Sequence, residues 1–480
     1  MPVLDLAIIG VYILVMLGVG VYFMRRNADA DDYYLAGRSM GSLHIGLSVV
    51  ATDVGGGFSI GLGGLGFAMG ISGSWMLFTG LIGAWTSAVL LIPRVRKLGV
   101  EHRFYTLPEF FGHHYGSRVA FLAGIISAVG YLGFTASQIL AGAKLASAAF
   151  EGLSIETALL VMGCIVVIYT VLGGLKAVIY TDTIQWAVLM VGLCGVGIPV
   201  AYFAVGGLGA MRSSVPPEFF SLGNVGWARL VNWMVTIVPI WYVGMTLYQR
   251  IYASRSEADA KRAWFIAGLF EYPVMAFMGV LLGLMARVAA DQGMFASLGF
   301  GDVNALDAEM GLPLLLRRVL PVGLKGLMVS AYFSAIMSTA DSCLMASSGN
   351  VTTDILDRFL PFDATSPRAV RLSQIVTAVL GAAALVLAGA MQNVLQLMLY
   401  SYAFMVSGLF VPVVGVLTGH TRSRGGAFWA MLLGGITTSG LAAAEGANAL
   451  ALPLGLDANI FGITVSALVF VAFNGRREEP

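Results

Sequence analysis

Long apolar runs follow one another along almost the whole chain, and the polar stretches between them are short. Most runs reach about 20 residues, the length that an α-helix needs to cross the hydrocarbon core of a bilayer. The pattern predicts an all-α polytopic membrane protein with about 13 transmembrane helices. The predicted helices cover residues 4–24, 44–71, 73–94, 119–148, 154–173, 177–204, 231–250, 263–289, 323–353, 370–390, 392–418, 425–444 and 457–473.

The composition agrees with this prediction and limits the kinds of molecule that the protein is expected to bind. Of the 480 residues, 58% are hydrophobic and 11% are charged, whereas a soluble domain carries about 25% charged residues. The net charge is +1 and the sequence has no basic patch, so we expect the lipid bilayer and a small-molecule solute as partners and no nucleic acid. Cys164, Cys194 and Cys343 all fall inside predicted helices, which argues against a disulfide framework.

The basic residues indicate the topology. If the first helix enters the membrane from outside, one side of the membrane receives most of the 27 lysines and arginines. Because positively charged loops face the cytoplasm, we predict a multi-pass protein of the cell (inner) membrane, with its N-terminus outside and its C-terminus in the cytoplasm. The residues assigned to inner loops are Arg25, Arg26, Arg38, Arg94, Arg96, Lys97, Arg103, Arg118, Lys176, Arg250, Arg255, Lys261, Arg262, Arg358, Arg368, Arg371, Arg422, Arg424, Arg476 and Arg477.

One predicted helix contains a stretch that does not suit a continuous helix. Residues 49–67 (VVATDVGGGFSIGLGGLGF) carry a carboxylate, Asp53, followed by a run of glycines. Glycine is about 1 kcal/mol less favourable than alanine in a helix, and unwound backbone at membrane depth is tolerated only where it lines a site enclosed by protein or water. We therefore predict an interrupted helix that forms half of a binding site for an ion and a solute. The alternative is a glycine-lined helix-packing face, which leaves Asp53 unexplained.

A second interruption is predicted in residues 232–250, which contain Pro239 and Gly244. Five helices separate the starts of the two interrupted helices, the spacing typical of a transporter built from two inverted five-helix repeats. We predict a single transmembrane transporter domain over residues 1–480. It comprises an extra helix at 4–24, a first repeat at 44–204, a second repeat at 231–418 and C-terminal helices at 425–473.

The ninth predicted helix carries a stripe of hydroxyl groups. Ala335, Ser338, Thr339 and Ser342 recur at i, i+3, i+4 and i+7, which places them on one helical face, and Asp341 lies beside this face. Oxygen ligands of this kind suit a small hard cation such as Na⁺. The alternative is hydrogen bonding between helices by serine and threonine.

Other charged residues also fall inside apolar runs. Asp182 is a candidate for function because carboxylates within membranes usually have one, although it could instead pair with Lys176 near the inner surface. For Lys144 we expect the ammonium group to reach the outer surface, and no role is assigned to Glu271.

These motifs together resemble the sodium/solute symporter family, which includes sodium-coupled proline, pantothenate, monocarboxylate, sialic acid and sugar transporters. The resemblance covers nearly the whole chain. It implies a fold with two inverted five-helix repeats, one extra helix before them and further helices after them. The matching stretches are residues 32–41 (DYYLAGRSMG), 51–57 (ATDVGGG), 105–112 (YTLPEFFG), 173–185 (GGLKAVIYTDTIQ), 249–262 (QRIYASRSEADAKR) and 324–354.

The resemblance also implies where cations bind. The main sodium site is expected at the backbone carbonyls of Ala51, Val54 and Ala335 and the hydroxyls of Ser338 and Thr339. Asp53 matches a carboxylate that supports sodium binding in proline-type members. A second cation site is expected at Asp182, Ser338, Asp341 and Ser342. Members with two sites often have serine in place of Asp341, so this site could take Na⁺, take a proton or be empty.

The expected function is sodium-coupled symport of a small organic solute into the cytoplasm by alternating access, without enzymatic chemistry. A sugar is not favoured, because sugar-transporting members carry amide and acidic groups where this chain has Gly57, Phe58 and Ser59. An amino acid such as proline, or a similar zwitterion, is favoured. The alternatives are a monocarboxylate or other metabolite, proton coupling, or a transporter-like membrane sensor. The solute-binding residues are expected to be Gly55, Gly56, Phe58, Ser59, Trp241 and Tyr242.

Overall fold

The computed structural model describes residues 2–24, 35–53, 55–359, 367–421 and 423–474, and in these residues it is helical without β-strands. The α-helices are α1 (Val3–Met24), α2 (Ser42–Asp53), α3 (Gly56–Met69), α4 (Trp75–Leu90), α5 (Ile92–Glu101), α6 (Leu107–Tyr115), α7 (Ser117–Ala149), α8 (Ile155–Met190), α9 (Ile198–Ala204), α10 (Gly207–Ser214), α11 (Trp227–Val243), α12 (Met245–Ala253), α13 (Glu257–Leu269), α14 (Ala276–Asp291), α15 (Ala308–Val319), α16 (Leu324–Gly349), α17 (Pro367–Gly389), α18 (Val394–Leu417), α19 (Arg424–Gly446) and α20 (Ala458–Asn474).

The fold is that of a polytopic membrane protein. Among the described residues, 8 helical segments are long and apolar enough to cross a membrane, or 9 if α11 and α12 count as one bent span. Shorter apolar helices cover Val3–Val19, Ile155–Val171 and Ala458–Phe473. The helical, membrane-spanning fold class is therefore confirmed, whereas the number of 13 spans is not.

Helix α8 cannot be straight over its whole length. The hydroxyl oxygens of Tyr169 and Thr181 lie 3.3 Å apart, although two residues 12 positions apart are separated by about 18 Å along a straight helix. These two side chains together cannot bridge that distance. The chain therefore bends sharply between them, which agrees with the predicted division into two helices near residue 173.

Helix α16 lies at the centre of the bundle. The most apolar part of the segment Leu324–Arg358 is 94% buried, and α16 packs against α7, α8, α1 and α2. A helix buried on all sides is shielded from lipid as well as from water. Polar side chains on α16 can therefore serve an internal site.

Two helices of the bundle touch through their backbones. A Cβ atom added to Gly66 of α3 would overlap the backbone of Val280 in α14, and one added to Gly283 of α14 would overlap the backbone of Gly63. Small residues permit such close approach in membrane proteins. Gly63 and Gly66, near the end of residues 49–67, therefore form a helix-packing face. For these two glycines the structure agrees with the alternative interpretation of that stretch.

The expectation for Lys144 is wrong. Its ammonium group is buried and donates hydrogen bonds to Asp307 Oδ2 and Glu309 Oε2, both at 2.6 Å. Glu309 also accepts from the backbone N–H groups of Val394 at 3.0 Å and Leu395 at 2.9 Å. Because the ammonium is held by the buried Glu309 and the partly exposed Asp307, Lys144 links α7, α15 and the start of α18 instead of reaching the outer surface.

The start of α6 allows a stability prediction. Thr106 caps this helix by accepting from Glu109 N at 3.3 Å, and its buried hydroxyl donates to Asp354 Oδ1 at 2.9 Å. We expect Thr106→Ala to destabilise the protein by about 1–2 kcal/mol, since such a cap is worth roughly this amount. The measurement is the melting temperature in detergent. The matched control is Ser154→Ala, which removes an exposed cap of α8. An equal or larger loss in that control would contradict the role of the Asp354 bond.

Candidate functional site

The first helix interruption lies where the sequence predicts it. Helix α2 ends at Asp53, and α3 begins at Gly56 with Gly55 as a non-helical N-cap (φ −41°, ψ −162°). The Gly56 N–H donates to Gln138 Oε1 of α7 at 2.6 Å, and the Ser59 hydroxyl donates to the Gly55 carbonyl at 2.9 Å. Buried side chains thus satisfy part of the backbone freed at the break. Val54, a predicted sodium ligand, lies outside the described residues.

Glycine is required at the break because neighbouring atoms approach it closely. A Cβ atom at Gly55 would overlap the side chain of Thr339 in α16 and would lie 2.6 Å from Gln138 Oε1. One at Gly56 would overlap Ala141, and one at Gly57 would overlap the sulfur of Met398. The glycine run therefore brings the interrupted backbone against α16.

The predicted sodium ligands that the structure describes lie together. Thr339 Oγ1 is within hydrogen-bonding distance of the carbonyl oxygens of Ala51 (3.1 Å) and Ala335 (3.2 Å). Ser338 Oγ donates to the Ala335 carbonyl at 3.0 Å. All of these residues are buried. Two carbonyl and two hydroxyl oxygens, none of them charged, form a ligand set that suits a hard monovalent cation.

A small cavity adjoins three of the four residues that supply these oxygens, with Thr339 behind them. Its volume is about 10 Å³, roughly the space of one water-sized sphere. Ala51, Ala335 and Ser338 line it together with Gln185 and apolar side chains. The cavity has room for an ion of small radius without displacing the helices, so the residues fit Na⁺.

Three of the residues predicted for a second cation site are engaged with other side chains, and the fourth, Ser338, lies beside Asp182. Asp341 Oδ1 accepts from Thr170 Oγ1 at 2.7 Å, whereas Asp182 Oδ2 accepts from Ser48 Oγ at 2.5 Å. The hydroxyl of Ser342 accepts from Arg250 Nη2 at 2.9 Å. That guanidinium stands where a cation bound by both Asp182 and Ser342 would have to lie.

Arg250 is a central residue that the sequence analysis missed. It was assigned to an inner loop, but its side chain is 0% exposed. Its N–H groups donate to Ser48 Oγ at 3.0 Å, the Thr246 carbonyl at 3.2 Å and Thr52 Oγ1 at 2.5 Å. They also form an ion pair with Asp182 at 3.4 Å. Its position could have indicated a buried role, because residue 250 lies within a predicted span and follows the second interruption.

The second interruption is at Gly244. Helices α11 and α12 meet there at a bend of 41°, whereas Pro239 lies inside the continuous helix α11. Trp241 and Tyr242 occupy the last turn of α11. The indole N–H of Trp241 is buried and has no hydrogen-bond partner among the described residues.

A second small cavity lies between the two interruptions, with a volume of about 10 Å³. Its wall includes Asp53, Gly244 and Arg250, together with the aromatic side chains of Tyr131, Phe134 and Tyr402. Tyr131, Phe134 and Tyr402 were not predicted. The predicted solute-binding residues Gly55, Gly56, Ser59, Trp241 and Tyr242 do not line this cavity, and the side chain of Phe58 lies outside the described part of the structure.

Asp53 is held loosely. Its Oδ1 accepts from the Tyr402 hydroxyl at 3.4 Å, and its buried Oδ2 has no partner among the described residues. The Asp53 carboxylate therefore has an acceptor oxygen to which no N–H or O–H group of the described residues donates.

Comparisons with known proteins agree with this geometry. The profile of the sodium:solute symporter family matches residues 33–434. The sodium/proline symporter of Escherichia coli (strain K12) is 30% identical over 440 residues, which cover 89% of this chain and 85% of that protein. A sodium/glucose cotransporter of Vibrio parahaemolyticus is 26% identical over 460 residues, covering 88% of this chain and 82% of that protein.

A solved structure has the same fold. It is a Na⁺-coupled sialic acid symporter in a substrate-bound, outward-open state, with a TM-score of 0.80 and 20% identity over 99% of this chain and 98% of that chain. The family match covers most of the chain, and the fold and the interrupted helices agree with it. The chain therefore belongs to the sodium:solute symporter family, and it is a sodium-coupled membrane transporter, not an enzyme.

Proposed function

We propose that this protein carries Na⁺ and a small amino or imino acid, with proline as the leading candidate, into the cytoplasm by alternating access. The observation that carries the proposal is the convergence of the Ala51 and Ala335 carbonyls with the hydroxyls of Ser338 and Thr339 beside a small cavity. The sodium/proline activity named for the Escherichia coli relative supports proline as the solute.

The coupling follows from the position of the ion. Na⁺ at these oxygens would join the end of α2 to α16, and α2 leads directly into the interruption beside which the solute would bind. Ion and solute then stabilise the same arrangement, and their coupling free energy is reciprocal. A membrane potential adds about 2.3 kcal/mol per charge for each 100 mV.

The proposal includes the topology and the organisation of the chain. The N-terminus lies outside and the C-terminus in the cytoplasm, as the basic loops indicate. Residues 44–204 and 231–418 form the inverted repeats, preceded by a helix at 4–24 and followed by helices at 425–473. The two halves rock against each other around the fixed site.

The test is Na⁺-driven uptake of radiolabelled proline into proteoliposomes. We expect Ser338→Ala combined with Thr339→Ala to weaken the apparent Na⁺ affinity by about 100-fold or more, because each of the two lost contacts to a charged group contributes roughly 1.5–3 kcal/mol and 1.4 kcal/mol is about tenfold. The matched control is Ser330→Ala on the same helix, whose hydroxyl donates to the Gly326 carbonyl. Unchanged Na⁺ dependence in the double variant, or uptake that follows a pH gradient and ignores Na⁺, would contradict the proposal.

A further inference from the structure

Glu271 is a buried carboxyl group to which the transport proposal gives no role. Its side chain is 0% exposed, and neither carboxyl oxygen has a hydrogen-bond partner among the described residues. It lies between α13 and α14, next to Tyr272, whose backbone is extended (φ −136°, ψ 122°). A third interrupted segment therefore reaches the interior of the bundle, and such backbone is tolerated in a membrane where it lines a protein-enclosed site.

Glu271 faces the first interruption. Its carboxyl group lies beside that of Asp53, and because an ionised carboxylate has no donor, neither group satisfies the other unless one of them carries a proton. Gly80 of α4 leaves the space for this arrangement, because a Cβ atom at Gly80 would overlap Glu271 Oε2. The same point lies 3.8 Å from Trp241 Nε1, which is buried and also without a partner among the described residues. Two acids and one N–H donor thus lie near one another, and each has unused hydrogen-bonding capacity.

Two buried cations in the described part of the structure, Arg250 and Lys144, have partners other than the two acids. Arg250 lines the cavity next to Asp53, but its N–H groups donate to Ser48, Thr52, Thr246, Ser342 and Asp182. Lys144 is bound to Asp307 and Glu309. Two carboxylates in contact in a buried site cannot both ionise unless a cation compensates them. The pair therefore needs a cation, or a proton in its place.

We propose that Asp53 and Glu271 bind the protonated amine of the solute, and that the transported class is small organic amines, including zwitterionic amino and imino acids. A protonated amine supplies both the positive charge and several N–H donors to the free carboxyl oxygens. Trp241 adds one donor for an acceptor on the same solute. Solutes without an amine, such as monocarboxylates and sugars, leave the acid pair without a counter-charge. The inference rests on the proposed transport function and adds a recognition residue, Glu271.

The test compares three ring compounds of similar shape in saturating NaCl. Proline carries an amine and a carboxylate, pyrrolidine the amine, and cyclopentanecarboxylate the carboxylate. The measurement is the rise in the melting temperature of the purified protein, with alanine as a further amine and glucose as a further solute without one. We expect a rise with proline and pyrrolidine and none with cyclopentanecarboxylate or glucose. Glu271→Gln keeps the shape of the side chain, and we expect it to weaken proline binding at least tenfold while the rise caused by Na⁺ alone is retained.

The control is Glu156→Gln, at an exposed position in the first turn of α8, and we expect it to bind proline like the unmodified protein. The inference is overturned if cyclopentanecarboxylate or glucose binds as well as proline, if none of the amines binds, or if Glu271→Gln leaves proline affinity unchanged. It is also overturned if Glu271→Gln removes the response to Na⁺ but not that to proline, because the pair would then serve the ion. A protein that shows no response to Na⁺ before any substitution would instead contradict the transport proposal.

Discussion

Replacing Arg250 by alanine is expected to destabilise the protein by about 3–5 kcal/mol, the usual result of removing one partner from a buried ion pair. The substitution would leave Asp182 in the protein interior with the neutral hydroxyl groups of Ser48 and Ser338 beside it. It would also leave Thr52 and Ser342 without their shared donor. The measurement is the melting temperature in detergent, together with the yield of monodisperse protein.

Two controls distinguish the destabilisation caused by breaking the Arg250–Asp182 ion pair from that caused by removing a large side chain. Adding Asp182→Asn to an Arg250→Met variant removes both charges, and we expect it to recover much of the lost stability. Arg255→Ala breaks the Arg255–Asp259 pair, in which the arginine side chain is 69% exposed, and should change stability by less than about 1 kcal/mol. If Arg250→Ala destabilises no more than Arg255→Ala, the buried pair is not the stabilising feature.

Replacing Gly55 by alanine is expected to abolish Na⁺-driven uptake. The new methyl group would overlap the side chain of Thr339, so α2 and α16 would have to separate. Overpacking of this kind costs about 1–3 kcal/mol, and the separation pulls Thr339 away from the Ala51 carbonyl. We therefore expect uptake at background level and no rise in melting temperature on addition of Na⁺.

The matched substitution is Gly10→Ala in α1, where an added Cβ atom has nothing within 4 Å. We expect normal uptake from this variant, with stability equal or slightly higher, because alanine favours helices more than glycine does. Na⁺-driven uptake that survives Gly55→Ala would mean that the close approach of the break to α16 is not needed for ion binding.

Local sequence patterns were sufficient to predict the interruption and one face of the site. A carboxylate followed by glycines is incompatible with a continuous spanning helix, and the structure ends α2 at Asp53 and starts α3 at Gly56. The helical period alone places Ala335, Ser338 and Thr339 on one face. Neither argument requires knowledge of how distant helices pack.

The remaining features depend on contacts between distant parts of the chain. Arg250 and Asp182 are separated by 68 residues, and Lys144 and Asp307 by 163. A periodic pattern indicates which face a residue occupies but not which residue lies opposite. Pro273, two residues after Glu271, indicates locally that the helix is interrupted there. Nothing in the local sequence indicates that Glu271 lies beside Asp53, which is on another helix.

The backbone contact between α3 and α14 limits how this transporter can change its solute. Where Gly66 meets Val280 and Gly283 meets Gly63, the two main chains already touch and no side chain intervenes. Their spacing cannot be widened in small steps, because the smallest possible substitution forces the helices apart at once. Under the proposed recognition of the solute, a different preference would therefore arise from side chains such as those of Asp53, Glu271 and Trp241, within a scaffold of fixed width.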